Sequence, residues 1–176
     1  MNVNVKAGAD GEWFDVVNAR DQVVGRELRS VVHAKGLWHR AVHVLVFNAA
    51  GQVFLQKRSM TKDMSPGLWD SSCSGHLDAG EDYDPAAQRE LGEELGLDES
   101  VVPQRWLRVE ACAETGWEFC WVYRLEHAGP FTLHPEEIAR GEWLNPHEVT
   151  RQLTCTPTAF CPAFTLIWSR LSPTLT

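Results

Sequence analysis

The sequence predicts an α/β (α+β) fold in which a mixed β-sheet carries helices on its faces. Three observations point there. β-Branched runs come in pairs separated by turn residues, one strongly signalled helix interrupts them, and 176 residues suit one hydrophobic core with little room for a second. Residues 1–176 are therefore expected to form a single domain.

Residues 1–12 are small and polar and read as a loose leader. WFDVVN (13–18), a turn at Ala19-Arg20-Asp21 and QVVG (22–25) read as a hairpin of short strands. RAVHVLVFN (40–48) and QVFLQKR (52–58), joined through Ala49-Ala50-Gly51, read as a second. Residues 59–68, with Ser, Pro and Gly, read as a loop, and WDSSCSG (69–75) as a short strand. Asp84 as N-cap, Pro85 at the first helical position and Gly96 as the stop bracket a helix of strong formers from Ala86 to Leu95. RWLRVEACAE (105–114) and WEFCWVYRLE (117–126) flank Thr115-Gly116 as a third hairpin. EWLN (142–145) is strand-like, and the apolar segment from Pro157 to Leu171 reads as a helix kinked at Pro162.

The chain carries 24 acidic and 16 basic side chains, a net charge of −8. That balance argues against a nucleic-acid polymer as partner, because such binding rests on cations meeting phosphates. The excess is local: residues 78–99 hold nine acids and one base. Phosphates approach such a segment when a divalent metal is bound first. Five cysteines without a C-x-x-C pair suggest neither a disulfide framework nor a zinc knuckle. With no signal-like start and no apolar run of membrane length, a cytoplasmic location is expected, with no membrane partner.

The chemistry is concentrated in GHLDAGEDYDPAAQRELGEELGL, residues 75–97. On a helix, Glu90, Glu93 and Glu94 share one face while Ala87, Leu91 and Leu95 form the neighbouring apolar one. Three carboxylates within two turns repel one another, and a hard divalent cation such as Mg²⁺ or Mn²⁺ relieves that repulsion. Gly75, Glu81, Arg89, Glu90, Leu91, Glu93, Glu94, Gly96 and Leu97 match every specified position of the Nudix box, G-x5-E-x7-R-E-U-x-E-E-x-G-U with U aliphatic. The chain thus resembles the Nudix hydrolases, and the resemblance implies an α/β/α sandwich whose box forms a loop–helix–loop. It implies a Mg²⁺ (or Mn²⁺) held by the Gly75 carbonyl and by Glu90, Glu93 and Glu94, with Glu81 and Arg89 as a supporting salt bridge. It implies hydrolysis of a diphosphate linkage in a small nucleoside-diphosphate-type molecule by metal-activated water, and it admits a homodimer.

The flanks, WHRAVHVLVFN (38–48) and GQVFLQKRSMTKDMSPGLWDSSCSGH (51–76), resemble the isopentenyl-diphosphate isomerase branch of the superfamily. That branch uses a cysteine before a Gly-His pair, a glutamate on a later strand and a histidine cluster for a second metal. Here Ser74 stands before Gly75-His76, and Cys73 lies one place early, on the opposite face of a strand. Glu118 matches the later glutamate and His39 one histidine; His33 lies near another, and Gly116 stands where a second metal-binding glutamate is expected. An intact box with no thiol at position 74 favours hydrolysis over isomerisation; a non-catalytic nucleotide-binding module is the third reading. Arg40, Lys57, Arg58 and Lys62 are candidates for the substrate's phosphates, Arg58 and Lys62 by resemblance. Trp117 and Trp121 are candidates for stacking on a base. Glu118 is the expected general base, with Glu114, Glu137 and Glu142 as competitors and His76 as a further candidate beside the metal loop.

Overall fold

The structure, a computed structural model, describes residues 11–175, so the expected leader lies outside it but for its last two residues. Trp13–Val17 (β1) and Val23–Leu28 (β2) pair as the antiparallel hairpin that β-branched residues around a turn dictate. A helix then follows that the sequence reading missed, Arg29–Lys35 (α1), closed by Gly36 in the left-handed conformation. Its N-cap is Leu28, which makes no side-chain cap bond, and it opens on Arg-Ser-Val-Val, so neither capping nor propensity announces it.

His39–Phe47 (β3) and Val53–Arg58 (β4) meet as the expected hairpin only beside their turn, at Val46 with Phe54 and Phe47 with Val53. Farther along, β3 leaves β4. The segment read as one strand over 69–75 is two, Trp69–Asp70 (β5) and Cys73–His76 (β6), and β6 takes the place beside β3. The break falls at Ser71-Ser72, where the Ser72 hydroxyl accepts from Val46 N at 2.7 Å and donates to the Phe54 carbonyl, occupying backbone groups a continuous ladder would use.

The box helix is Tyr83–Leu95 (α2), and its apolar face, with Ala86, Ala87, Leu91 and Leu95, is fully buried. Its cap is Asp82, whose carboxylate accepts from Tyr83 N at 2.8 Å, and not Asp84 as expected. Pro85 is still accommodated, because the first turn's N–H groups have no helical partner. Gly96 ends the helix at φ 67°, as its sequence position suggests.

Gln104–Val109 (β7) and Glu118–Glu126 (β8) form the third hairpin, with the first strand stopping at Val109 instead of reaching residue 114. The Thr115 hydroxyl bonds both N–H and C=O of Cys112, curling 112–117 into a turn. Ile138–Leu144 (β9) pairs with β4, and Pro146–Cys155 (α3) follows. The single kinked C-terminal helix expected over 157–171 is a 3₁₀ turn at Pro157–Ala159 and a separate helix, Pro162–Leu171 (α4). Pro162 starts a helix instead of bending one, while Cys161 N in the gap bonds Trp69 O at 2.9 Å.

The main sheet runs β5-β4-β3-β8-β7, with β6 on β3 and β9 on β4; the central pair β3–β8 is parallel and the others antiparallel. Alternation on β3 sorts the core into two layers. Val42, Val44 and Val46 pack with Ala86, Ala87, Leu91 and Leu95 of α2, while Ala41, Leu45 and Phe47 pack with Phe164, Ile167, Trp168 and Leu171 of α4. The result is the expected mixed-sheet sandwich with helices on both faces. No helix among the described residues is long and apolar enough to cross a membrane.

Candidate active site

Glu90 and Glu94 leave α2 on the side turned toward β6 and are buried, whereas the Glu93 side chain is 37% exposed. The Glu94 carboxylate accepts from Gln56 Nε2 and from Ser74 N, both at 3.1 Å. Burial first, then the charges of Glu90 and Glu137, push the Glu94 carboxyl up to about 8. Arg89 draws the group together. Its guanidinium donates to both Glu81 oxygens at 2.9 and 2.8 Å, to Glu90 at 2.6 Å, to Glu93 at 3.2 Å and to the His76 carbonyl at 2.9 Å. Gly75 is the other fixed point: a Cβ there would lie 2.1 Å from the Glu90 carboxyl carbon and 2.2 and 2.5 Å from its oxygens. Glycine is required at 75 by this close approach of backbone to carboxylate.

Gly75, Arg89, Glu90 and Glu94 line a cavity of about 230 Å³, whereas Glu81 and Glu93 lie outside its lining. Its walls carry eight carboxylates (Glu12, Asp70, Asp78, Glu90, Glu94, Glu114, Glu118 and Glu137) against four basic side chains (Arg29, Arg58, Lys62 and Arg89). Each base is already bonded to acid: Arg29 to Glu12 and Asp63, Arg58 to Asp70, Lys62 to Glu137, and Arg89 as above.

Beside this cavity, α1 brings His33 next to His39, His76 and Glu118, whose ligand atoms lie within 4.8 Å of one another. His39 Nδ1 lies 2.8 Å from the Leu37 carbonyl and so carries the proton. Its Nε2, buried and without a hydrogen-bond partner, therefore turns a lone pair toward Glu118 Oε1 at 3.4 Å. Two lone pairs at that separation fit a shared cation. Burial lowers His76 to about 3, so its neutral imidazole donates from Nε2 to Glu118 at 2.8 Å. Burial alone would raise the Glu118 carboxyl, but the adjoining His76, which donates to it, holds it well below the ordinary range.

The structure thus brings Gly75, His76, Arg89, Glu90, Glu94, Glu114, Glu118, Glu137, Arg58 and Lys62 to one cavity, and leaves Glu81, Glu93 and the remaining sequence candidates outside its lining. Arg40 is bound to Asp21 at 2.6 Å and lies over the Tyr83 ring, a structural role that takes its guanidinium from any phosphate. Lys57 lies over the Trp69 ring, and Glu142 pairs with Arg140. Trp121 packs beside the α2 layer under Arg105, and Trp117, at φ 69° in the turn before β8, lies against Gly36. Neither ring faces the cavity that a base would share with the box. Cys73 is buried in the α2 layer while Ser74 lines the cavity, the opposite faces that a one-residue offset requires. The sequence reading passed over His43, Gln56 and Asp70, which are buried around the cavity or the Glu94 carboxylate. Their signal was a polar residue within an otherwise apolar strand pattern, at His43 and Gln56.

A mixed sheet between helices, with a glycine loop set against a carboxylate-bearing helix, is the architecture of pyrophosphate-bond hydrolases of the Nudix class. The chain belongs to that family: the family model for the NUDIX domain matches residues 37–159. It is 35% identical over 144 residues to an uncharacterized Nudix hydrolase of Yersinia pestis, covering 79% of this chain and 76% of that one. It is 32% identical to an isopentenyl-diphosphate Delta-isomerase of Serratia proteamaculans, covering 91% of each chain. Among solved structures it resembles DR0079 from Deinococcus radiodurans, with a TM-score of 0.81 and 29% identity over 90% of this chain and 98% of that one.

Proposed function

We propose that this chain is a Mg²⁺- or Mn²⁺-dependent hydrolase that cleaves the diphosphate linkage of a small nucleoside-diphosphate-type molecule. The observation that carries the reading is the charge of the cavity: carboxylates outnumber bases, and every base is already paired. A polyanion enters such a cavity together with a cation. Glu90, Glu93 and Glu94 would hold that cation with the Gly75 carbonyl, and the close fit of Gly75 to Glu90 suits a ligand set assembled from backbone and side chain. When bound, the ion supplies charge neutralisation at phosphorus and an acidified water.

The protein's own residues do the rest. Arg89 fixes Glu81, Glu90 and Glu93 relative to the loop, so the carboxylates do not reorganise as charge develops. Gln56 and Ser74 N hold one Glu94 oxygen and so set the direction of the other. Arg58, oriented by Asp70 and by the Met64 carbonyl, and Lys62 would meet the diphosphate oxygens. Glu118 is engaged by His39 and His76, which favours a role as a ligand of the histidine cluster over the general-base role its sequence position suggests.

A panel of nucleoside di- and triphosphates, dinucleoside polyphosphates, nucleotide sugars and coenzymes tests the reading. Phosphate-containing products should form with Mg²⁺ or Mn²⁺ and vanish in Glu94→Gln; no turnover of any member would refute it. The histidine cluster favours a second reading, an isomerase acting on isopentenyl diphosphate. Ser74 stands where that chemistry needs a thiol, and its hydroxyl is far too weak an acid to replace one. Deuterium incorporation from D₂O into isopentenyl diphosphate would favour the isomerase; its absence favours the hydrolase.

A further inference from the structure

Glu137 lies outside the box in sequence, yet the backbone delivers it there. His134 N bonds the carbonyl of Glu94 at 3.0 Å, and Glu137 N and Ile138 N close a turn on His134 O at 3.0 and 2.8 Å. The same turn is stitched to the loop after β4: Ser59 N donates to Glu137 O at 2.9 Å, and the Thr61 hydroxyl to Glu136 O at 3.1 Å. Two segments 75 residues apart therefore meet at the cavity rim, where Lys62 and Glu137 form an ion pair with side chains only 17% and 24% exposed. Glu137 lines the cavity with Glu90 and Glu94, and Lys62 lines it with Arg58. One contact thus joins an acid facing the cation-binding carboxylates to a base facing the expected position of the diphosphate.

We propose that Glu137 is an additional carboxylate for the box cation and that it shares Lys62 with the substrate: without metal Glu137 occupies Lys62, and in the metal-loaded protein Glu137 turns to the cation and Lys62 becomes available to a diphosphate. The inference rests on the metal-dependent reading of the box, and it gives metal and substrate a binding order through two side chains of this chain. The exchange costs little, because both groups stay within the cavity and each trades one charged partner for another. It also explains why a basic side chain at a phosphate site is found neutralised by an acid from a distant segment.

Calorimetry on the intact chain tests this with Mg²⁺ and inorganic pyrophosphate as separate probes. Mg²⁺ is chosen because it prefers oxygen ligands and discriminates against the histidine cluster. In EDTA, Glu137→Gln should bind pyrophosphate about threefold or more tightly than wild type, the effect of releasing one partly exposed ion pair. With Mg²⁺ alone, Glu137→Gln should bind about tenfold more weakly and Lys62→Gln more tightly than wild type. Unchanged or weaker pyrophosphate binding by Glu137→Gln in EDTA would overturn the masking of Lys62. Unchanged Mg²⁺ affinity in Glu137→Gln, or weakened affinity in Lys62→Gln, would overturn the ligand role. Wild-type Mg²⁺ binding by Glu94→Gln would instead refute the box reading, and the EDTA arm still decides the ion-pair exchange. Thermal unfolding of each variant confirms that folded protein is compared.

Discussion

Replacing Gly75 with alanine should separate folding from chemistry. The added Cβ would lie 2.1–2.5 Å from the three atoms of the Glu90 carboxyl group. Ordinary contact for such atoms is about 3.5 Å, so the carboxyl must withdraw by on the order of 1 Å. The obstructing atoms are the far end of a long side chain, and residue 75 does not have a left-handed φ. The chain can therefore fold around the methyl, at a cost of about 1–3 kcal/mol. Cation binding has no such slack: ligand distances for a bound metal hold to about 0.2 Å, and a 1 Å error in a reacting constellation costs about 100-fold in rate. Gly75→Ala should accordingly still fold cooperatively, with its thermal transition lowered by about 2–12 °C, lose about 100-fold in hydrolysis and bind Mg²⁺ at least tenfold more weakly. Wild-type Mg²⁺ affinity and turnover in a folded Gly75→Ala would show that the Glu90 carboxylate is not needed where it stands, and the argument from this close approach would fail.

Arg89→Met leaves Glu81 and Glu90 without their shared guanidinium and should cost about 2–4 kcal/mol in urea unfolding; Arg89→Lys restores charge without the fork and should recover only part. Glu94 gives a pH dependence of defined sign. Its carboxyl is raised in the folded metal-free protein, so the folded state holds a proton the unfolded chain releases. The associated stability is fully present below pH 4.5 and lost as pH rises through about 8; Glu94→Gln should flatten that decline in denaturant titrations, and no flattening would count against a buried, proton-holding Glu94. Gly141→Ala would set a Cβ 1.9 Å from the buried Phe54 ring, whose stiffness forces β9 to shift, and should cost about 1–3 kcal/mol in thermal or urea unfolding; no loss of stability would refute this tight packing.

What could be read from the sequence was what depends on local period and spacing. The burial of Ala87, Leu91 and Leu95 under one face, with the glutamates on the next, follows from 3.6 residues per turn, and Arg89 reaches Glu81 because the box fixes their separation. The offset of Cys73 from Ser74 was equally legible, since a strand alternates faces. The contacts that are not local stayed hidden. α1 lacks a capping side chain, so His33 had no element to carry it to His39 and His76. The strand over 69–75 breaks because Ser72 is bonded to β3 and β4, partners known only once the sheet has formed. Arg40 and Lys57 carry the same charges as Arg58 and Lys62, and only tertiary packing sends the first pair to aromatic rings and the second to the cavity.

The central claim is that water, directed by the box, attacks a phosphorus of a diphosphate. Turnover in ¹⁸O-labelled water with Mg²⁺, using whichever member of the panel reacts, tests it most directly. Mass spectrometry should find one ¹⁸O in a single phosphate-bearing product and none without metal or in Glu94→Gln. Products free of label, or label incorporated equally by Glu94→Gln, would contradict it.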